Sequence, residues 1–298
     1  GQHQQVDPVS YEKSYYRDTN EIVPLRFFTD GEPTKLLGLL PMQKRFFGVD
    51  REAYERVSGI PYEEARPVFH LLGADRFGHD LLSRVIFGSR VSLSVGLLAI
   101  AIIVIIGLVL GGISGYVGGK TDIAIQRFIE IVNSFPALPL WLALGAVMPA
   151  TWNPLQVFIA ITVILSLFGW TGLARATRGK LLSLREEDYA TAAYLLGASH
   201  GRIIFRHLLP GFTSHIIVVL TISVPVTILA ETALSFLGLG LRPPIVSWGV
   251  MLQDAMSLQV LASYPWLLAP VLFIILTVLC FNYAGDGLRD AADPYAST

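Results

Sequence analysis

A single cysteine, Cys280, excludes an internal disulfide and any cysteine-held metal site. Charge is scarce: 15% of the residues are charged, against about 25% in an ordinary soluble domain. No Gly-x4-Gly-Lys-Ser/Thr stretch occurs, so the chain has no phosphate loop of its own. No His-Glu-x-x-His stretch occurs, which removes the commonest helical zinc-hydrolase site. His200, His207 and His215 lie seven and eight residues apart rather than three or four, and read as loop and interface residues. Ser83, Ser89 and Ser92 have no evident base to activate a hydroxyl. No catalytic residue, no metal ligand and no nucleic-acid partner is assigned.

What the sequence does have is long uncharged runs. Asp, Glu, Lys and Arg are absent from 91–119, 131–174, 207–230 and 255–285. A membrane-crossing helix needs roughly 20 apolar residues, and one of these runs is long enough for two. Runs this long and continuous fit helices rather than alternating barrel strands. Five spans are read, near 90–114, 122–148, 155–176, 212–236 and 262–284. Pro149, Trp152, Asn153 and Pro154 break the longest run, because proline lacks an amide proton and clashes with the preceding turn. Trp141, Trp152, Trp170, Trp248 and Trp266 suit interfacial anchoring, with ligand stacking as the alternative.

Of the 45 charged residues, 24 lie in the first 85 positions. The chain therefore divides into a polar segment, 1–80, and a membrane body, 81–298. In the head, 22–28 reads as a short strand and Gly31-Glu32-Pro33 as its turn. Too few periodic apolar residues occur for a large core, so an irregular loop packed on the membrane domain is expected.

Orientation follows from Arg175, Arg178, Lys180, Arg185, Arg202 and Arg206, which crowd the loop between the third and fourth spans. Positive residues stay in the cytoplasm. Segments 115–121, 177–211 and 285–298 are expected there, with the head outside. The chain opens on Gly1 rather than methionine, and no apolar span precedes the head. An outside start needs a cleaved signal or an earlier helix.

The most informative stretch is 183–210. Asp188 to Ser199 is helix-forming, with small alanines on one face that let another surface approach. Gly197 permits a sharp turn, and a second short helix then ends at Pro210. This pattern resembles the cytoplasmic EAA loop of binding-protein-dependent ABC permeases: Glu-Ala-Ala, three residues, Gly, nine residues, Ile, one residue, Leu-Pro. Ala192, Ala193, Gly197, Leu209 and Pro210 match in spacing; Thr191 stands where the signature has Glu, and His207 where it has Ile.

Further stretches resemble dipeptide and oligopeptide permeases: 73–84, 88–93, 115–122, 230–240, 243–249 and 285–290. The resemblance covers about 73–294 and is to the peptide/nickel subfamily, C-type subunit. It implies an all-α type I importer transmembrane domain, normally of six spans. Five are visible here, and a first helix ahead of Gly1 accounts for the sixth; a five-span protein is the alternative.

The resemblance further implies a permease subunit forming half of a pathway in the bacterial or archaeal inner membrane. The expected cargo is peptides, with oligosaccharides or nickel complexes as alternatives; a secondary transporter would show internal repeats and several buried charges. Expected partners are a second, B-type permease, two cytoplasmic ATP-binding subunits that use ATP and Mg, an external substrate-binding protein, and membrane lipid around Arg175, Arg178 and Lys180. This chain is expected to bind no cofactor itself. Its coupling surface is assigned to Tyr189, Ala192, Ala193, Gly197, Ala198, Arg202, Leu209 and Pro210.

Two readings stay open. Glu231, an ionisable group at the end of an apolar span, is either a pore-facing or outer-interface carboxylate bonded to a loop backbone or a contact for a cationic group of the substrate, and with Trp248 it is assigned to a pathway or outer gate. Gly107, Gly111, Gly112 and Gly115 permit close helix contact, with the partner permease or within this subunit.

Overall fold

A computed structural model of the chain describes residues 2–6, 13–17, 23–36, 40–65, 69–75, 77–208, 211 and 213–292. The chain divides into two compact units, Gly1–Ala74 and Asp75–Thr298. The division falls ahead of position 80 because Asp75 is bonded to Arg84, and Asp80 caps the helix that follows it.

The head is not irregular. Strands β1 (Gln2–Val6) and β2 (Lys13–Arg17) pair antiparallel. So do β3 (Leu25–Leu36) and β4 (Leu40–Val49), with Phe27 opposite Phe47 and their rings 5.0 Å apart. Gly31-Glu32-Pro33 is not the hairpin turn. It lies inside β3, where the register shifts between Asp30 and Thr34, as expected of a proline that cannot donate to the ladder. Helix α1 (Arg51–Ser58) starts at Asp50, whose side chain accepts from the Ala53 amide, and α2 (Tyr62–Ala65) follows. No residue of α1 is buried, consistent with a segment too polar for a large core.

The body is helical. Helix α3 (Leu81–Val117) opens with Asp80 accepting from the Ser83 amide at 3.1 Å. That cap lies ten residues ahead of the expected start of the span, because four polar or charged positions, Ser83, Arg84, Ser89 and Arg90, fit the first turns as well as a loop would. At 37 residues, α3 is about 55 Å long and exceeds the roughly 30 Å hydrocarbon core.

Helices α4 (Gly119–Ser134) and α5 (Ala137–Val147) replace the expected straight span 122–148; they meet at a 76° bend. Phe135 is extended (φ −86°, ψ 132°), the conformation that the ring of Pro136 imposes on its predecessor. Helix α6 (Pro154–Leu184) begins in a capping box, Asn153 with Gln156, and has proline at its first position. Then come α7 (Asp188–Leu195), α8 (His200–Arg202), α9 (Thr213–Phe236), α10 (Trp248–Gln253), α11 (Leu258–Ser263) and α12 (Ala269–Ala292). Among the described residues four helices are long and apolar enough to cross a membrane, and the bent pair α4–α5 makes a fifth if it counts as one span.

The body is organised around α3 against α6. Gly107, Gly111 and Gly115 recur every fourth residue and so form one stripe on α3. Side-chain carbons added at these positions would collide with Leu173, with Ala174 and Thr177, and with Arg178 and Leu181. At Gly111 and Gly115 the obstacle includes the α6 backbone itself, which cannot step aside. The stripe thus packs within this subunit, which settles one of the two readings for these three residues. Clusters sit along the seam: Ile103, Ile129, Trp170 and Ala174 at its middle, and Leu181, Ala190, Ile203, Leu208 and Ile216 at the α7–α8 end. At the opposite end Val95, Ala99, Ile161, Leu165, Leu234 and Leu241 bring in α9 and the chain after it.

Gly111→Leu is expected to cost about 3 kcal/mol by overpacking, because its Cβ would come within 2.8 Å of Thr177 Cβ and 2.9 Å of Ala174 Cα. Gly172→Ala, in open space on α6, is expected to be neutral or to gain up to about 1 kcal/mol. Thermal unfolding of both variants in detergent checks the contrast.

Candidate functional site

A knob projects from one end of the helical body. Helix α6 passes through a turn at Arg185, Glu186 and Glu187 into α7. Asp188 in the first turn of α7 is favourable beside the positive end of its dipole. The helix stops in a Schellman motif: the Ala198 amide donates to the Ala193 carbonyl at 3.0 Å, and the Gly197 amide to the Tyr194 carbonyl at 2.9 Å. Gly197 has φ +78°, a conformation that disfavours any residue with a Cβ. Ser199 then caps α8, which runs into a π-helical turn, Ile203–Leu208, so that the short second helix is part α and part π. Leu209 and Pro210 lie outside the described residues.

The knob has an anchored side and a bare side. Ala190, Ile203 and Leu208 are buried against Leu181 of α6 and Ile216 of α9, with Ala193, Ala198 and Tyr116 packed on the cluster. Ala192 and Arg202 are exposed. Leu195 and Leu196 at the tip are 78% and 87% exposed, and Tyr189 and Tyr194 on the same helix are exposed as well. Burial, aided by the charge of Glu187, pushes the Tyr189 phenol above its ordinary range.

Polar clamps fix the base of the knob. Arg178 on α6 grips Asp122 on α4 with two bonds, Nε to Oδ1 at 2.5 Å and Nη2 to Oδ2 at 2.6 Å. Ser114 of α3 donates to the same carboxylate at 2.5 Å. Arg178 was expected, with Arg175 and Lys180, to attract anionic lipid; its guanidinium is instead committed within the subunit. Arg185 donates to the Gly115 and Tyr116 carbonyls at 3.2 and 3.4 Å, completing the end of α3.

At the opposite end of α3 lies a buried carboxylate. Glu231 on α9 is 0% exposed. Ser92 on α3 donates to one oxygen at 3.1 Å, and Ser235 on α9 to the other at 2.8 Å. Each serine spends its proton on the carboxylate and accepts from a backbone amide: Ser92 from Trp248 at 3.2 Å, Ser235 from Leu241 at 3.0 Å. Trp248 is 2% exposed, and its indole donates to the Val85 carbonyl at 3.0 Å. The carboxylate thereby ties α3, α9, α10 and the 237–247 connection together.

Comparison with known proteins decides what kind of molecule this is. Residues 103–297 match the family described as binding-protein-dependent transport system inner membrane component. The chain belongs to that family. The oligopeptide transport system permease protein OppC of Haemophilus influenzae is 44% identical over 227 residues, covering 76% of this chain and 70% of that protein. The dipeptide transport system permease protein DppC of Bacillus subtilis is 40% identical over 226 residues, 76% and 68% of the two chains. OppC of Escherichia coli K12 is 40% identical over 258 residues, 86% and 81%. A chain of the inward-facing MetNI methionine ABC transporter superposes with a TM-score of 0.56 at 18% identity, over 72% of this chain and 98% of that one; that likeness concerns the fold, the type I importer transmembrane fold. The molecule is an inner-membrane permease subunit of a binding-protein-dependent importer.

Within the permease, Glu231 and Trp248 do not face an opening. Both are internal in this conformation, so any part they play at a pathway or gate passes through packing rather than through contact with solute. In the sequence Ser92 stands out only as a hydroxyl without a base, and Ser235 and Asp122 lie inside family-like stretches with no role attached. Nothing in a single sequence pairs Ser92 with a carboxylate 139 positions away.

The 73–84 stretch also acquires a role. Asp75 is 6% exposed and accepts from the Phe77 and His79 amides at 2.8 and 2.9 Å, from the His79 ring at 3.0 Å and from Arg84. Burial alone would raise its pKa; the His79 and Phe77 hydrogen bonds, joined by the charge of Arg84, outweigh burial and hold it below the ordinary range. A lowered carboxylate contributes stability that is present above the unfolded value, about 3.9, and disappears as pH falls through the folded value. Asp75→Asn should therefore unfold at a lower temperature than the native protein at pH 7, and the difference should shrink as pH drops below about 4.

Removing the buried carboxylate isolates two hydroxyls. Glu231→Ala should cost about 3 kcal/mol, and Glu231→Gln, which still offers an acceptor, about half of that. Unfolding in detergent reads both; equal losses would deny the hydrogen-bonded role.

Proposed function

We propose that this permease is the C-type half of a peptide importer, and that its knob is where separate ATP-binding subunits engage it. The exposed Leu195–Leu196 tip carries the reading. Two bare leucines on a rigid, capped turn form an apolar contact ready for a partner. The Ala192, Ala193 and Gly197 spacing supports the same role, since small residues let an opposing surface approach. The basic residues around 175–206 support a cytoplasmic position for the knob and an external one for the head.

In this reading the pathway lies between two related permeases, this chain and a B-type partner, because one bundle of this size cannot enclose a peptide. An external binding protein delivers the solute. Two ATP-binding subunits hold ATP and Mg and close on the knobs, and the permease itself performs no chemistry. Peptides are the favoured cargo because the oligopeptide and dipeptide permeases compared above are 40–44% identical to it over the matched residues.

The test is assembly. Affinity-tagged permease, extracted in mild detergent from its own host, should bring down an ATP-binding subunit and a second permease. Leu195→Glu/Leu196→Glu should release the ATP-binding subunit while leaving the unfolding temperature unchanged. Retention of that subunit by the double variant would reject the tip as the contact. Solute extracted from the binding protein should be peptide by mass spectrometry.

A further inference from the structure

The chain joins the knob to α6 and α9 only. Its link to α6 is the short turn at 185–187, which alone would act as a hinge. Helix α3 has no such connection, yet it carries Ser92 and hence the Glu231 network at its other end. Leu108 and Tyr116 of α3 pack on the knob's buried cluster, and a hydrogen bond between side chains also bridges the gap. The Tyr116 hydroxyl, in the last turn of α3, is hydrogen bonded to Nδ1 of His200, the first residue of α8, at 2.9 Å across 84 positions of sequence.

The imidazole also lies between two rings. Tyr116 meets it edge-on, centroids 5.4 Å apart, and Tyr194 of α7 stacks on it at 6.2 Å and 24°. One side chain therefore touches both arms of the knob and the end of α3. Arg185, bonded to the Gly115 and Tyr116 carbonyls, holds the same turn from the hinge side. Two holds, one at the hinge and one beyond it, set an angle where one would leave rotation free.

We infer that Tyr116 and His200 form a latch that fixes the angle of the knob on α3, so that displacement of the knob reaches α3 instead of being absorbed at the 185–187 turn. They are positioning residues. The inference rests on the coupling role proposed for the knob.

The experiment uses the complete transporter in proteoliposomes, with its binding protein as purified from the host, and compares ATP hydrolysis with and without that protein. Tyr116→Phe keeps the ring and loses only the hydroxyl. It should assemble normally and hydrolyse ATP at the basal rate, while stimulation by the binding protein falls about fivefold, the weight of one hydrogen bond. His200→Leu should lose stimulation similarly, and Tyr116→Phe/His200→Leu should be no worse than either alone. His200→Gln, which can still bond to the tyrosine, should recover most of the stimulation. Wild-type stimulation in Tyr116→Phe, or losses that add in the double variant, would overturn the latch. Leu195→Glu/Leu196→Glu separates the two levels. If it abolishes stimulation and Tyr116→Phe does not, the latch fails and the coupling role stands; if it leaves stimulation intact, both fail.

Discussion

The contact on which the rest of the body depends is the backbone approach of α3 to α6. In a membrane there is little hydrophobic gain in bringing two helices together, so association rests on close packing. The stripe of Gly107, Gly111 and Gly115 provides it by removing every atom that would hold the α6 backbone away. Two long helices locked in this way behave as one plate. The bent pair α4–α5, the knob and α9 are then placed by what they find along its edges.

Polar groups at the two ends of α3 follow a second constraint, that a buried polar atom in an apolar setting needs a partner. Near the knob, Arg178 and Ser114 converge on Asp122 and fasten the start of α4 to the plate. At the opposite end Ser92 and Ser235 converge on Glu231 and carry the Trp248 and Leu241 amides with them. Both are carboxylates reached from several elements, which makes each a register pin. Sliding α3 by one turn would take Ser114 from Asp122 and Ser92 from Glu231 at once. The glycine stripe sets how near the helices lie, and the acids set their alignment.

This division explains what could be read from the chain alone. Span count, the knob and the turn at Gly197 were legible because each is local: uncharged runs, an Ala-Ala-x3-Gly spacing, a residue type with one conformational advantage. The bend at Pro136 was equally local, but the uncharged run across it hid it; hydropathy does not register a missing amide proton. The head was misjudged for a related reason. Gly31-Glu32-Pro33 has turn composition, yet the antiparallel partner at 40–49 holds the segment extended and absorbs it as a register shift. Arg178 looked like one of several basic loop residues, and only its meeting with Asp122 distinguishes it from Arg175. Contacts separated by 56 to 139 positions need the fold before they can be seen.

Rigidity in the plate decides where the molecule can give. Helix α9 joins the knob cluster through Ile216 to the carboxylate network through Glu231, and Pro225 lies between them. A proline inside a helix removes one ladder bond and clashes with the carbonyl four residues earlier, so α9 is weakest midway along its course. The path through α3 has no proline in 37 residues and is braced by α6. A push delivered at the knob therefore meets a stiff route along α3 and a compliant one along α9, although of these two α9 alone is joined to the knob by the chain. Stiffness, more than connectivity, selects the element that can carry motion from the knob to Ser92 and Trp248. In the proposed latch, the contact between Tyr116 and His200 places the load on that element.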